Sequence, residues 1–141
     1  MKAILVPVGN DPRIVEVEGY KDIQRYVGGN IDAAGWIFDN SPAVYVNDEG
    51  KLGRFQPNRA VYARPEDEGK MTWDGGTVRK GQCLDIIFGD FICIGFDPET
   101  GEDRDVSEEE IARVRDAFAG PGSIDSGVME VMAIRFAGAR R

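Results

Sequence analysis

The sequence contains no histidine and only two cysteines, Cys83 and Cys93. The absence of histidine excludes the common zinc sites, the serine–histidine–aspartate triad and any acid–base chemistry that depends on an imidazole. Two cysteines without a secretion signal are expected to remain thiols. From these residue types we expect no metal, no cofactor and no enzymatic activity.

Long apolar runs are also absent, since no stretch approaches the length that spans a bilayer. The first residues, MKAILVPVGNDPR, share a lysine and a short apolar run with signal peptides. That run covers only residues 3–8, includes a proline and lacks a small-residue cleavage site. We interpret it as a first β-strand, and we expect a cytoplasmic protein that does not contact a membrane.

The negative charge of the chain is concentrated in one segment. The formal net charge is −8, and residues 97–110 hold eight acidic residues and one base, Arg104. Because no basic stripe is present to neutralise phosphates, direct nucleic-acid binding is not expected. The spacing of the acids is similar to that of a calcium loop, but Glu102 occupies the position of the sharp-turn glycine. We expect the segment to bind a basic surface of a partner protein through Asp103, Asp105, Glu108, Glu109 and Glu110.

Periodic patterns predict two helices and several strands. In YKDIQRYVGG the apolar residues have helical spacing, and the glycine pair ends the helix. Ser107 and Glu110 have the spacing of a capping box at the start of a longer helix, which a glycine and a proline end. The apolar runs KAILVPV, RIVEVEG, NIDAAGWIFD and AVYVN predict strands.

These elements predict an α+β fold in a single small domain. We expect a mostly antiparallel sheet with a short helix after the second strand and a longer helix near the C-terminus, packed on one face. Residues 1–120 would form the domain. Residues 121–141 would form a C-terminal extension, in which a last strand with a frayed basic end is favoured over a helix.

The segment CLDIIFGDFICIGF predicts a β-hairpin that turns at Gly89-Asp90. In that register Ile86 faces Cys93, so the two cysteines lie on opposite faces of the sheet and a disulfide is not expected. Asp85 would lie within a strand, where a buried acid needs a partner. An ion pair is favoured there over a catalytic base.

The stretch VYVNDEGKLGRFQPNRAVYA places an asparagine and an arginine directly after a proline. Since Pro57 disfavours strand pairing, we expect Asn58 and Arg59 to project from an irregular segment. Two interpretations remain open. In the favoured one, Arg59 is a structural latch that holds Asp85 or a turn carbonyl. In the other, a small anionic ligand is bound by Asn47, Asn58, Arg59 and Asp85.

Three motifs together resemble one known family. These are VGGNID, then VNDEGKL followed five residues later by NRA, then LDIIFGDFICIG, in that order. The chain is similar over residues 1–118 to domain-of-unknown-function family 3846, whose members are found largely on bacterial phages, plasmids and conjugative elements. The segments RFQP and ARPEDEGKMTWDGG depart from its pattern. The resemblance implies a mobile-element origin and a bacterial cytoplasmic setting, but it implies no activity.

We therefore expect a non-catalytic phage or mobile-element protein that binds a host protein or a small anionic ligand, with modulation of host defence as one role. Two alternatives remain. One is a small hydrolase or lyase that uses Asp85 as its acid or base, and the other is a structural or assembly protein that acts as a homo-oligomer.

Overall fold

The computed structural model of the chain describes residues 1–52, 55–72 and 74–120. The residues of the predicted C-terminal extension, 121–141, lie outside this part of the chain, and the domain boundary at residue 120 stays a prediction. Within the described residues, no helix is long and apolar enough to cross a membrane.

The chain forms an alternating series of short strands and helices. The strands are β1 (Lys2–Val6), β2 (Arg13–Glu16), β3 (Ile31–Ala33), β4 (Ala43–Asn47), β5 (Pro57–Tyr62), β6 (Cys83–Phe88), β7 (Phe91–Asp97) and β8 (Glu102–Arg104). The helices are α1 (Tyr20–Val27) and α2 (Glu108–Phe118), with short 3-10 turns at Gly35–Ile37 and Pro65–Asp67.

Strand β7 is the centre of the main sheet. The order is β2-β1-β7-β4-β3, with β8 also paired to β7, and the pairings are antiparallel. The first five residues of β7 are all buried, because strands flank it on both sides and helices cover its faces. This explains why β7 is apolar without alternation, whereas three of the four residues of the edge strand β2 are exposed.

The two helices pack on opposite faces of this sheet. Ile23 and Val27 of α1 join a core cluster that includes Ile92 and Ile94 of β7. Phe91 precedes Ile92, so its side chain points to the other face, where it meets Phe118 of α2 edge to face at 5.3 Å between ring centroids. The helices thus bury both faces of β7.

The predicted α+β class is confirmed, together with both helices. Helix α1 ends at Gly28, whose φ of 82° and backbone bond to the Gln24 carbonyl form a left-handed C-cap. Helix α2 begins with the predicted capping box between Ser107 and Glu110.

The predicted hairpin of residues 83–96 is wrong. The chain does turn at Gly89-Asp90, but β6 pairs with β5 in a separate two-stranded sheet, while β7 pairs with β1 and β4. The register that placed Ile86 opposite Cys93 therefore does not exist. Two adjacent apolar runs in the sequence indicate a turn between them. They do not indicate which strands pair with β7 on its two sides. Neither Cys83 nor Cys93 forms a disulfide.

The described chain divides into two compact units. The first comprises Met1–Arg59 and residues 87–120, and the second comprises Ala60–Ile86. In the second unit the chain forms a small irregular hairpin with a bridge between Met71 and Thr77. Trp73 lies outside the described residues.

The second unit is held by a buried carboxylate. The carboxylate of Asp67 accepts a hydrogen bond from Arg64 Nε at 3.0 Å and another from Lys70 Nζ at 3.0 Å. The Arg64 side-chain bonds, opposed by burial, hold the pKa of Asp67 well below its usual range. This ion cluster adds to the buried apolar residues Val61, Val78 and Ile86 of the same unit.

Replacing Ile23 with alanine tests the packing of α1 on the sheet. Ile23 is buried, so Ile23→Ala should lower the free energy of unfolding by about 2–5 kcal/mol. Ile14 on the edge strand β2 is 39% exposed, so Ile14→Ala is a matched control that should cost less than about 1 kcal/mol. Urea unfolding of both variants checks the difference, and equal losses would contradict this packing.

Candidate functional site

Arg59 is a buried strand residue, which corrects the prediction of an irregular segment. Strand β5 begins at Pro57, so the proline occupies the first position, where a missing N–H is tolerated. Asn58 and Arg59 follow within the strand and are 1% and 4% exposed. The proline thus starts the strand instead of interrupting it.

The guanidinium of Arg59 is surrounded by backbone carbonyls of the first unit. Its Nε donates to the Phe118 carbonyl at 3.2 Å, and Nη2 donates to Gly120 at 2.5 Å. On the other side Nη2 donates to Asn10 at 2.8 Å and Nη1 to Pro7 at 3.3 Å. The arginine therefore ties the β1–β2 loop to the C-terminal end of α2, where a cation is favoured by the helix dipole.

The interpretation of Arg59 as a structural latch is confirmed, and the groups that it holds are backbone carbonyls. Within the described part of the chain no carboxylate forms an ion pair with Arg59, so the predicted partner Asp85 is wrong. Burial lowers the pKa of Arg59 from its usual value, and the nearby negative charge of Asp11 opposes this shift. The side chain is committed to the fold, so an anionic ligand has no access to it.

The two asparagines of the predicted ligand site are also structural. Asn58 Nδ2 donates to the Val6 and Gly89 carbonyls at 2.9 and 2.8 Å, and its Oδ1 accepts from Arg59. Asn47 Nδ2 donates to the Val27 carbonyl at 3.0 Å. These amides satisfy buried carbonyls that would otherwise lack donors.

Asp85 has a different environment from the other predicted ligand-binding residues. It lies on β6 in the second unit, half-buried, and its carboxylate accepts from the backbone N–H of Ile86 at 2.8 Å. The alternative of an acid or base at this position stays a prediction. The described residues contain no group of acids and cysteines suited to a metal ion. Burial raises the pKa of the Cys93 thiol, which disfavours a thiolate nucleophile.

A small pocket lies between residues of the first and third sequence motifs and the segment that precedes Pro57. Its volume is about 280 Å³, and its lining is Val8, Tyr26, Val27, Gly28, Phe55, Gln56, Gly89 and Asp90. Gly28 and Gly89 have φ values of 82° and 77°, and a Cβ atom there would lie 3.3 and 2.9 Å from the Phe55 ring. Both glycines are needed because they combine a left-handed backbone with close contact to this ring.

Sequence reasoning missed this pocket. The sequence indicates helix termination at Gly28 and a turn at Gly89-Asp90, and both assignments account for these residues locally. No local pattern indicates that Phe55 packs against both glycines. Gly28, Phe55 and Gly89 are far apart in the sequence, and only the folded chain brings them together.

The acidic segment is divided by burial. Asp103 accepts from the Tyr45 hydroxyl at 2.6 Å, and burial followed by this bond raises the pKa of Tyr45. Asp105 is exposed, and its carboxylate accepts from the Lys2 backbone N–H at 2.8 Å. Glu108 and Glu109 at the start of α2 have side chains that are 89% and 87% exposed.

Glu110 does not belong to the exposed surface, which corrects its assignment as a partner-binding residue. It is 1% exposed, and its carboxylate is bonded to the Arg104 guanidinium at 2.8 Å and to the Ser107 backbone N–H at 3.0 Å. The capping-box role therefore turns this side chain inward. Of the three consecutive glutamates, Glu108 and Glu109 therefore lie at the surface and Glu110 is buried.

Replacing Arg59 with lysine tests the latch. The ammonium group of lysine cannot reproduce the fixed directions of the guanidinium donors, so some buried carbonyls would lose their hydrogen bonds. Arg59→Lys should therefore lower the free energy of unfolding by about 2–4 kcal/mol. Arg115→Lys on the exposed side of α2 is the control, which should change stability by less than about 0.5 kcal/mol. Thermal and urea unfolding provide the measurement, and an unchanged Arg59→Lys variant would rule out the latch.

Acid unfolding tests the role of Glu110. Burial raises its pKa, but the Arg104 and Ser107 bonds outweigh burial, so the pKa lies below its usual value. A carboxyl group with a lowered folded pKa stabilises the fold above its unfolded pKa of about 4.3, and this contribution is lost as pH falls through the folded pKa. Between pH 7 and 3 the wild type should lose more unfolding free energy than Glu110→Gln. Equal losses by urea unfolding at each pH would contradict this role.

Comparison with known proteins identifies the family. No curated protein and no solved structure matches the chain. The model of one family, described as a domain of unknown function, DUF3846, matches residues 1–119. That range contains all three motifs and all the residues that line the pocket. The chain therefore belongs to domain-of-unknown-function family 3846.

Proposed function

We propose that this chain is a non-catalytic phage or mobile-element protein that binds a basic surface of a host protein. The observation that carries the proposal is the exposure of acids along one continuous segment. From the β7–β8 turn to the first turn of α2, the exposed acidic residues are Glu99, Glu102, Asp105, Glu108 and Glu109. The mobile-element setting comes from the family resemblance, and modulation of host defence would follow from the choice of partner.

The charges on this surface are available to a partner. Lys2 Nζ lies 3.7 Å from Glu108, and the Arg113 guanidinium lies 3.7 Å from Glu109. Exposed ion pairs of this kind contribute only about 0–1 kcal/mol each, so a basic partner can displace them at little cost. Net negative charge also attracts a basic partner over a distance and raises the association rate.

The backbone under these charges is already ordered. Strand β8 pairs with β7, the Ser107 hydroxyl accepts from the Glu110 N–H, and Arg104 is bonded to the buried Glu110. A preordered surface loses less conformational freedom on binding than a flexible acidic tail. The acids of this segment are therefore presented on a fixed surface.

An assembly role is the second candidate, and strand β2 favours it. β2 is an edge of the main sheet, and its Ile14 is 39% exposed beside the half-buried Val15. An exposed edge with an apolar residue is a template for pairing with another strand. Light scattering of the purified chain distinguishes a monomer from an oligomer formed in this way.

Neutralising the two glutamates at the start of α2 tests the leading proposal. The tagged wild type, Glu108→Gln/Glu109→Gln and a control, Glu18→Gln/Glu68→Gln, are used to capture proteins from a bacterial host lysate. The control removes the same charge from exposed positions elsewhere. We expect one captured protein, bound about tenfold or more weakly by the first double variant and unchanged by the control.

Salt gives a second, independent test. Binding of the captured protein, measured with purified components, should weaken steeply between about 0.05 and 0.5 M salt, because exposed charges are screened. Binding that is insensitive to salt, or that survives neutralisation of Glu108 and Glu109, would overturn the proposal.

A further inference from the structure

The pocket lined by Gly28, Phe55, Gly89 and Asp90 has few free backbone hydrogen-bond donors. The Val8 N–H donates to Asp90 Oδ1 at 2.8 Å, the Gly28 N–H to the Gln24 carbonyl at 2.9 Å, and the Gly89 N–H to the Gln56 carbonyl at 2.8 Å. An anion is commonly held by backbone N–H groups, and these three are already bonded within the fold. The pocket is therefore poorly suited to a phosphate or a carboxylate.

The acceptors and the rings of the pocket favour a ligand of the opposite charge. Asp90 supplies the only charged side chain among the described lining residues, and it is half-buried. One of its oxygens holds Val8, which orients the carboxylate and leaves the second oxygen for a ligand. The Tyr26 hydroxyl and the Gln56 side chain add neutral polar groups.

Phe55 supplies an aromatic surface next to this carboxylate. Its ring packs against Gly89, the residue that precedes Asp90, and against Gly28. Tyr26 is less free to take this role, since the Arg25 guanidinium already lies 5.5 Å from its ring centroid. A carboxylate beside an aromatic ring is a common arrangement for binding an organic cation.

We propose that this pocket binds a small planar organic cation, such as an amidine or a guanidine, which pairs with Asp90 and packs against Phe55. The volume of about 280 Å³ is near the lower end for small-molecule sites, so a ligand of one ring and one charged group is the expected size. This site is independent of the acidic surface proposed above. It also has the opposite charge preference from the anionic ligand expected from the sequence.

Three compounds of one shape test the charge preference in the full chain. Benzamidine, benzamide and benzoate have the same planar outline and carry charges of +1, 0 and −1 at pH 7. Each is titrated into the nitrogen-15-labelled protein, and the amide signals of Gly28, Gly89 and Asp90 are followed by NMR. We expect benzamidine to bind about tenfold or more tightly than benzamide, and benzoate to bind most weakly.

Two variants assign the interaction to its residues. Asp90→Asn retains an oxygen that accepts from Val8 but loses the charge, so benzamidine affinity should fall about tenfold. Asp116→Asn on the exposed side of α2 makes the same change away from the pocket, and it should leave the affinity unchanged. Phe55→Leu should weaken benzamidine and benzamide together, because both lose the ring contact.

The salt dependence of the wild type keeps the test decisive if Asp90→Asn fails to fold. Benzamidine binding should weaken as salt rises, whereas benzamide binding should not. The proposal is overturned if none of the three compounds binds, if benzoate binds as tightly as benzamidine, or if Asp90→Asn and Asp116→Asn have equal affinities.

Discussion

The enclosure of one arginine by backbone carbonyls organises the first unit of this protein. Arg59 donates to the β1–β2 loop at Pro7 and Asn10, and to the end of α2 at Phe118 and Gly120. A buried guanidinium is costly unless its donors are satisfied, so the loop and the helix end are both required for its position. In return, it satisfies carbonyls that the last turn of a helix leaves without donors.

The need to satisfy backbone carbonyls also explains the asparagines of the three motifs, and close packing explains their glycines. Asn47 donates to the buried carbonyl of Val27 at the end of α1, and Asn58 donates to the carbonyls of Val6 and Gly89. Gly28 and Gly89 take left-handed conformations and lie against the ring of Phe55. Most motif residues of this chain are thus explained by backbone satisfaction and close packing. The pocket beside Gly28 and Gly89 is the exception, since Asp90 has one carboxylate oxygen that the described structure does not use.

The acidic segment shows how burial gives identical residues different roles. Glu109 and Glu110 are adjacent, but a helix places neighbouring side chains about 100° apart, so one faces solvent and the other faces the sheet. Glu110 is then bonded to Arg104 and Ser41, whereas Glu109 remains on the surface. The surface charge of the segment is smaller than its composition indicates. Its exposed acids are nevertheless held on an ordered backbone.

Local patterns determined the fold class, both helices and the apolar strands of this chain, but not β5, which begins at Pro57, or the charged strand β8. The glycine pair ended α1, the capping box began α2, and apolar runs marked the predicted strands, because each depends on residues only a few positions apart. The tertiary structure alone decided the strand pairings, which separate β6 from β7, and the partners of Arg59. It also decided which acid is buried and where Phe55 packs. These outcomes depend on contacts between residues distant in the chain, and such contacts leave no periodic signal in the sequence.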